Sequence, residues 1–283
     1  KKKKIILHRF HSRFRFMTKP VILFSLPRSG STLLCGLLSQ NPNFKIIEGS
    51  LTVSILNNLR SIFYTEAKSL ATRQQSQCLP VLKSAICGYY GSDSSFGFDK
   101  NWEALFYLDI WDQVLEEYKI VCLVRDPVEC ASSFLRLREK EPITWTKYDN
   151  DVVNKDTFPR TMDFAQCLMA ANGTIGRSYS ALYEAALVQN RHSDMLFVDY
   201  SNLCSQPKKQ LDRICNFIGA DKYYPQLNNI ENANKQLDRY YGMFDTLHTI
   251  EPKIREAKAS LGRLSSMAED LRSTCPPFWQ EWI

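Results

Sequence analysis

Histidine is scarce in this chain: four in 283 residues, and with His8 and His11 in a basic arm only His192 and His248 remain to serve as bases or ligands. The nine cysteines include no C-x-x-C pair and most stand among apolar neighbours, which argues against a zinc site or a disulfide framework. Buried free thiols in a reducing, cytoplasmic compartment are expected instead. No apolar run approaches the ~20 residues of a membrane helix, so no membrane span is expected. Internal repeats and low-complexity tracts are also missing. Residues 1–16 contain no acid but seven basic side chains, so a net charge of +6 falls to −1 from Met17 onward. Basicity is thus a property of the arm, which is expected to be disordered or an appended remnant rather than a nucleic-acid-binding element.

The chain does carry a phosphate cradle. Val21-Ile22-Leu23-Phe24 is a continuous apolar run, as a parallel strand buried on both faces requires. Ser25-Leu26-Pro27-Arg28-Ser29-Gly30-Ser31-Thr32 follows, and leucines at helical spacing come next. The small residues Ser29, Gly30, Ser31 and Thr32 allow backbone N–H groups to approach an anion at a helix N-terminus, and Arg28 adds a full charge. A nucleoside triphosphatase loop would need glycine where Ser25 stands and lysine where Ser31 stands, so the ATPase reading weakens.

Strand and helix patterns alternate from Val21 to Ile218, which predicts a three-layer, P-loop-like α/β fold with a central parallel sheet flanked by helices. Strands are expected at 44–47, 96–98, 119–124 and 195–198, and helices at 161–189 and 203–218 among others. Ligands of such sheets bind beyond the carboxyl ends of the strands, where Arg28, Glu48, Asp99, Lys100 and Arg125 fall. Arg125-Asp126-Pro127 ends one strand and opens a helix that carries Ser133 on the face turned back to the strand end. Arg125 paired only with Asp126 or Glu129 is the plain alternative to a binding role. The stretch 139–160, with Trp145 and Tyr148, is long and irregular, as loops of functional importance often are.

Leu26-Pro-Arg-Ser-Gly-Ser-Thr-Leu-Leu34 resembles the 5′-phosphosulfate loop of sulfotransferases, which use 3′-phosphoadenosine 5′-phosphosulfate (PAPS). Arg125 and Ser133 are similar in placement to that family's 3′-phosphate motif, and Asp99-Lys100 resembles a segment of its bacterial-type members. The resemblance implies a sulfotransferase domain over 17–283 that converts PAPS to 3′-phosphoadenosine 5′-phosphate (PAP) and sulfates a hydroxyl or amine on a small-molecule, glycan or peptide acceptor. Residues 29–32 with Arg125 and Ser133 would hold the donor, Arg28 and Lys100 would stabilise the moving charge, and no metal is implied. The lysine-threonine-histidine pattern of cytosolic animal members is not matched, since Asn101 and Trp102 follow Lys100. Glu48, Asp99 and His248 are the candidate bases, with Glu48 favoured over Asp99, which is expected to cap a helix or pair with Lys100. His192, beside Arg191 and Asp194, is expected at the surface. Two rival functions stay open: a nucleotide or nucleoside kinase with a degenerate loop, and an inactive nucleotide-binding module.

Overall fold

The apolar run before the cradle is strand β1 (Lys19–Ser25) in the computed structural model, which describes residues 18–140, 161–232, 248–255 and 261–283. The basic arm and the stretch with Trp145 and Tyr148 lie outside the described residues. Strands β2 (Phe44–Glu48), β3 (Phe96–Lys100), β4 (Lys119–Val124) and β5 (Met195–Asp199) join β1 in one sheet of order β2-β3-β1-β4-β5, with every pairing parallel. The alternation of a strand then feeds two cores. Ile22 and Phe24 of β1 pack into one, Val21 and Leu23 into the other. Both faces are covered, as parallel sheets require.

Helix α1 (Ser31–Leu38) follows β1 and buries Leu34, Leu37 and Leu38 on the Val21 face. Helices α2 (Thr52–Thr65), α3 (Ala67–Ala71), α4 (Cys78–Tyr90) and α5 (Leu108–Val114) separate β2, β3 and β4. Helix α6 (Pro127–Lys140) follows β4 but buries Val128, Ala131 and Phe134 on the opposite, Ile22 face. Adjacent strands β1 and β4 thus send their chains to opposite faces, and a crevice opens between their carboxyl ends. None of the helices among the described residues is long and apolar enough to cross a membrane.

Three expectations change in detail. The helix expected over 161–189 is α7 (Thr161–Met169), α8 (Thr174–Tyr183) and a π-turn at Glu184–Val188. The chain reverses at Gly173, where a Cβ would lie 2.0 Å from the Cys167 carbonyl oxygen, so only glycine fits. The helix expected over 203–218 is α9 (Tyr200–Ser205) and α10 (Pro207–Ile218), divided because Pro207 has no N–H to continue the ladder. Strand β3 runs on to Lys100 because β1 and β2 pair with it on both sides up to that residue. A last helix, α11 (Ala268–Thr274), is tied to α6 by Arg272, which donates to the Asp126 carboxylate at 2.8 and 2.7 Å.

Candidate active site

The loop after β1 is pinned to its neighbour: the Leu26 amide donates to the Leu123 carbonyl of β4 at 3.1 Å. Both the amide and the hydroxyl of Ser29 donate to the Leu26 carbonyl, at 3.1 and 2.6 Å, and Ser29 is fully buried. Ser29 thus braces the turn from inside, with both of its donors turned to that carbonyl. Arg28 and Gly30 take left-handed backbone, with φ 63° and 91°. At Gly30 a Cβ would also lie 2.5 Å from the Tyr200 ring, so neither its conformation nor its neighbour tolerates a side chain. No side chain caps α1, and the amides of its first turn have no acceptor within the helix. Gly30, Ser31, Thr32 and Leu33 line a cavity of about 480 Å³ with those amides and the positive end of the helix dipole at its wall.

Arg125, at the end of β4, enters the same cavity and is 8% exposed. Its Nε donates to Glu129 at 2.8 Å, its Nη1 to the Arg28 carbonyl at 3.2 Å, and its guanidinium lies 4.4 Å from the Tyr200 ring centroid. The i,i+4 pair with Glu129 therefore exists, but as the hold on one edge of a fork rather than its only use. Ser133, two turns into α6, accepts from Arg28 Nε at 3.3 Å. The two motifs thus meet side chain to side chain, as their placement at neighbouring strand ends requires.

Glu48 and Lys100 end β2 and β3 in direct register, so their side chains leave the same face of the sheet. Lys100 Nζ donates to Glu48 Oε2 at 2.9 Å, with the two side chains 14% and 2% exposed. Glu48 Oε1 is buried with no hydrogen-bond partner among the described residues. Lys100 lines the cavity and Glu48 stands behind it. Asp99 points to the opposite face, as strand alternation dictates, and neither caps a helix nor pairs with Lys100. Its Oδ2 accepts from Thr52 at 2.9 Å and from Tyr90 at 2.8 Å. Burial pushes its carboxyl above the usual range, against the pull of those hydroxyls. The helix cap is Asn101, which accepts from the Glu103 amide at 3.0 Å.

His248 is on the cavity wall, and its carbonyl accepts from Asn232 at 2.9 Å. His192 is far from surface-like: it is half-buried and stacks on Trp282 with centroids 4.9 Å apart and planes 9° from parallel. Several lining residues escaped the sequence reading. Tyr200 wedges between Gly30 and Arg125, and burial raises its phenol to about 12, so it stays neutral. It stands immediately beyond β5, so the rule that points to strand ends would have found it. Trp102 and Arg136 carried no such signal. Burial, and after it the nearby Arg125 charge, holds the Arg136 guanidinium below its usual pKa. Lys253 and Arg255 also line the cavity, Arg255 being paired with Glu251. Among the described residues no group of three or more His, Cys, Asp or Glu is placed to hold a metal ion.

A profile of the sulfotransferase family matches residues 20–225. Among solved structures, the sulfotransferase domain from the curacin biosynthetic pathway is 16% identical, with 90% of this chain and 96% of that chain covered and a TM-score of 0.49. The sulfotransferase domain of the Synechococcus PCC 7002 olefin synthase is 18% identical, with 91% and 94% covered and a TM-score of 0.44. The sulfotransferase from Alicyclobacillus acidocaldarius is 12% identical, with 91% and 94% covered and a TM-score of 0.45. No curated protein matches the chain.

Proposed function

The chain belongs to the sulfotransferase family, and from that premise we propose that it transfers a sulfuryl group from PAPS to an acceptor hydroxyl or amine, releasing PAP and the sulfated product. The observation that carries the donor assignment is the junction of two motifs about a hundred residues apart, Arg28 Nε on Ser133 and Arg125 Nη1 on the Arg28 carbonyl, at one cavity wall. A ligand with phosphates at both its 5′ and 3′ positions matches two adjoining cationic subsites; ATP, with all its phosphates at one end, fills one. The residues present suit such a polyanion: the uncapped first-turn amides of α1, the Arg125 fork, and the Arg136 side chain on the same cavity wall. The nine free cysteines, seven of them buried, support a reducing, cytoplasmic setting.

In this reading the α1 amides at 31 and 32 hold the 5′-phosphate, while Arg125 and Ser133 read the 3′-phosphate. The acceptor oxygen forms a bond to sulfur as the bond from sulfur to the bridging phosphate oxygen breaks. Negative charge grows on the departing phosphate, where Arg28 stands, and Lys100 faces the sulfuryl oxygens. Glu48, held through Oε2 by Lys100 and set behind it, is the first candidate to take the acceptor proton. His248, on the cavity wall, is the second candidate, and comparing turnover in Glu48→Gln with that in His248→Gln separates the two.

Thermal denaturation with PAP and with ATP-magnesium tests the donor assignment. Linkage at a hundredfold excess over the dissociation constant adds about 2.7 kcal/mol, so PAP is expected to raise Tm by several degrees and ATP by much less. Equal shifts, or a larger one with ATP-magnesium, would return the kinase reading. Binding of PAP with no transfer from labelled PAPS to any acceptor would mark an inactive binding module.

A further inference from the structure

Residues 261–283 lie beyond the span that the family profile matches, and they pack on the Ile22 face of the sheet, the face that carries α6. Apolar burial anchors them there: Leu264, Leu271, Cys275 and Trp279 are each no more than 2% exposed. The Cys275 thiol donates to the Met169 carbonyl of α7 at 3.5 Å, and the Tyr179 hydroxyl of α8 donates to the Pro276 carbonyl at 2.8 Å. Trp282 rests on Phe197 of β5 with ring centroids 5.2 Å apart. The contact with Asp126 is of another kind. Arg272 grips Asp126 Oδ2 with two nitrogens, Nε at 2.8 Å and Nη2 at 2.7 Å. Asp126 Oδ1 accepts from the Val128 amide at 2.8 Å and so caps the first turn of α6. Arg125 and Tyr200 line the donor cavity, whereas their chain neighbours Asp126 and Asp199 line a second cleft together with Arg272. Arg272 thus stands one residue removed from the donor wall, with Asp126 between.

We propose that Arg272 is a positioning residue for reading the donor's 3′-phosphate and acts through Asp126, an inference that rests on the sulfuryl-transfer reading above. The first turn of α6, which Asp126 caps, carries Glu129, the hold on Arg125 Nε, and the helix goes on to Ser133. Gripping the cap therefore fixes the turn from which both 3′-phosphate readers are placed. The second effect is electrostatic. Asp126 puts a negative charge one peptide bond from Arg125, where it opposes a bound phosphate, and the Arg272 guanidinium offsets that charge without entering the cavity. With side chains 38% and 22% exposed, the pair adds little to folding, which the buried side chains of 264–279 already secure. Its main effect falls on the turn it grips.

The test is calorimetric titration of the full chain with PAP and with AMP, which lacks the 3′-phosphate. Arg272→Ala is expected to weaken PAP about fivefold, the effect of one uncompensated charge close to the phosphate, and to leave AMP within about twofold. If that variant does not fold, Arg272→Gln, which retains most of the aliphatic stem, carries the same comparison. In a background of Asp126→Asn, which keeps an acceptor for the Val128 amide but removes the charge, Arg272→Ala should weaken PAP by less than twofold, because the residue through which Arg272 acts has gone. A clasp that only stabilised the fold would weaken PAP and AMP alike or neither. Unchanged PAP affinity in Arg272→Ala, equal weakening of PAP and AMP, or a full fivefold loss in the Asp126→Asn background overturns this inference alone. Failure of the wild-type chain to bind PAP more tightly than AMP overturns the PAPS reading and this inference with it.

Discussion

Arg125→Ala separates a ligand-reading role from a structural one, because the structure shows both being performed by different edges of one guanidinium. Nε holds Glu129 at 2.8 Å, Nη1 holds the Arg28 carbonyl at 3.2 Å, and the face rests on Tyr200. Removing it leaves the Glu129 carboxylate, 13% exposed, without its cation, which should cost about 1–3 kcal/mol of stability. If the fork also binds the 3′-phosphate, PAP loses a charge-assisted bond worth about 1.5–3 kcal/mol, or roughly 10- to 150-fold in affinity. Calorimetric titration of PAP and of AMP, which lacks the 3′-phosphate, distinguishes the two losses. A specific reader predicts that Arg125→Ala weakens PAP by that factor and leaves AMP within about twofold, collapsing the discrimination between them. The double variant Arg125→Ala/Glu129→Gln should recover part of the stability without recovering PAP affinity, since it removes the orphaned charge but restores no fork. Equal weakening of PAP and AMP would mean that the loop carrying Arg28 has shifted, and an unchanged PAP affinity would mean that Arg125 only braces α6. Either result refutes the reasoning.

Lys100→Ala should keep PAP affinity within about tenfold while turnover on any accepted alcohol falls by roughly a hundred- to a thousandfold; near-normal turnover in rapid-mixing assays would reduce the Glu48–Lys100 pair to a structural one. Asp99 has a raised carboxyl pKa from burial, so its contribution to stability is present below the ordinary carboxylate range and is lost as pH rises through the raised value. Melting curves across that range should therefore show Asp99→Asn gaining on the wild type as pH rises, and a constant difference would contradict the burial argument. Gly30→Ala places a methyl against the Tyr200 ring in left-handed backbone and should cost about 1–3 kcal/mol together with most PAP binding; circular dichroism melts and titration read both, and a wild-type melt would show that the loop adopts another course.

What the sequence determined by itself were the features written in short spans of chain. The strand-loop-helix at 21–38, the arginine at the end of 119–124 and the serine two turns later follow from local periodicity and turn chemistry, and all stand where local reasoning puts them. Sheet order decided the rest. Glu48 meets Lys100 because β2 and β3 are neighbours in that register, and 52 residues of separation leave no local trace of it. Asp99, one residue away, falls on the other face and becomes a buried acceptor for Thr52 and Tyr90. Ser29 shares the composition of a phosphate-holding residue, but the course of the turn aims its hydroxyl at Leu26. Tyr200 came to matter only because β5 lies beside β4, which brings its ring between Gly30 and Arg125. Local sequence specifies what a residue is able to do within a few bonds of its own backbone; which partner it does it with is settled by the packing of strands that the chain visits out of order.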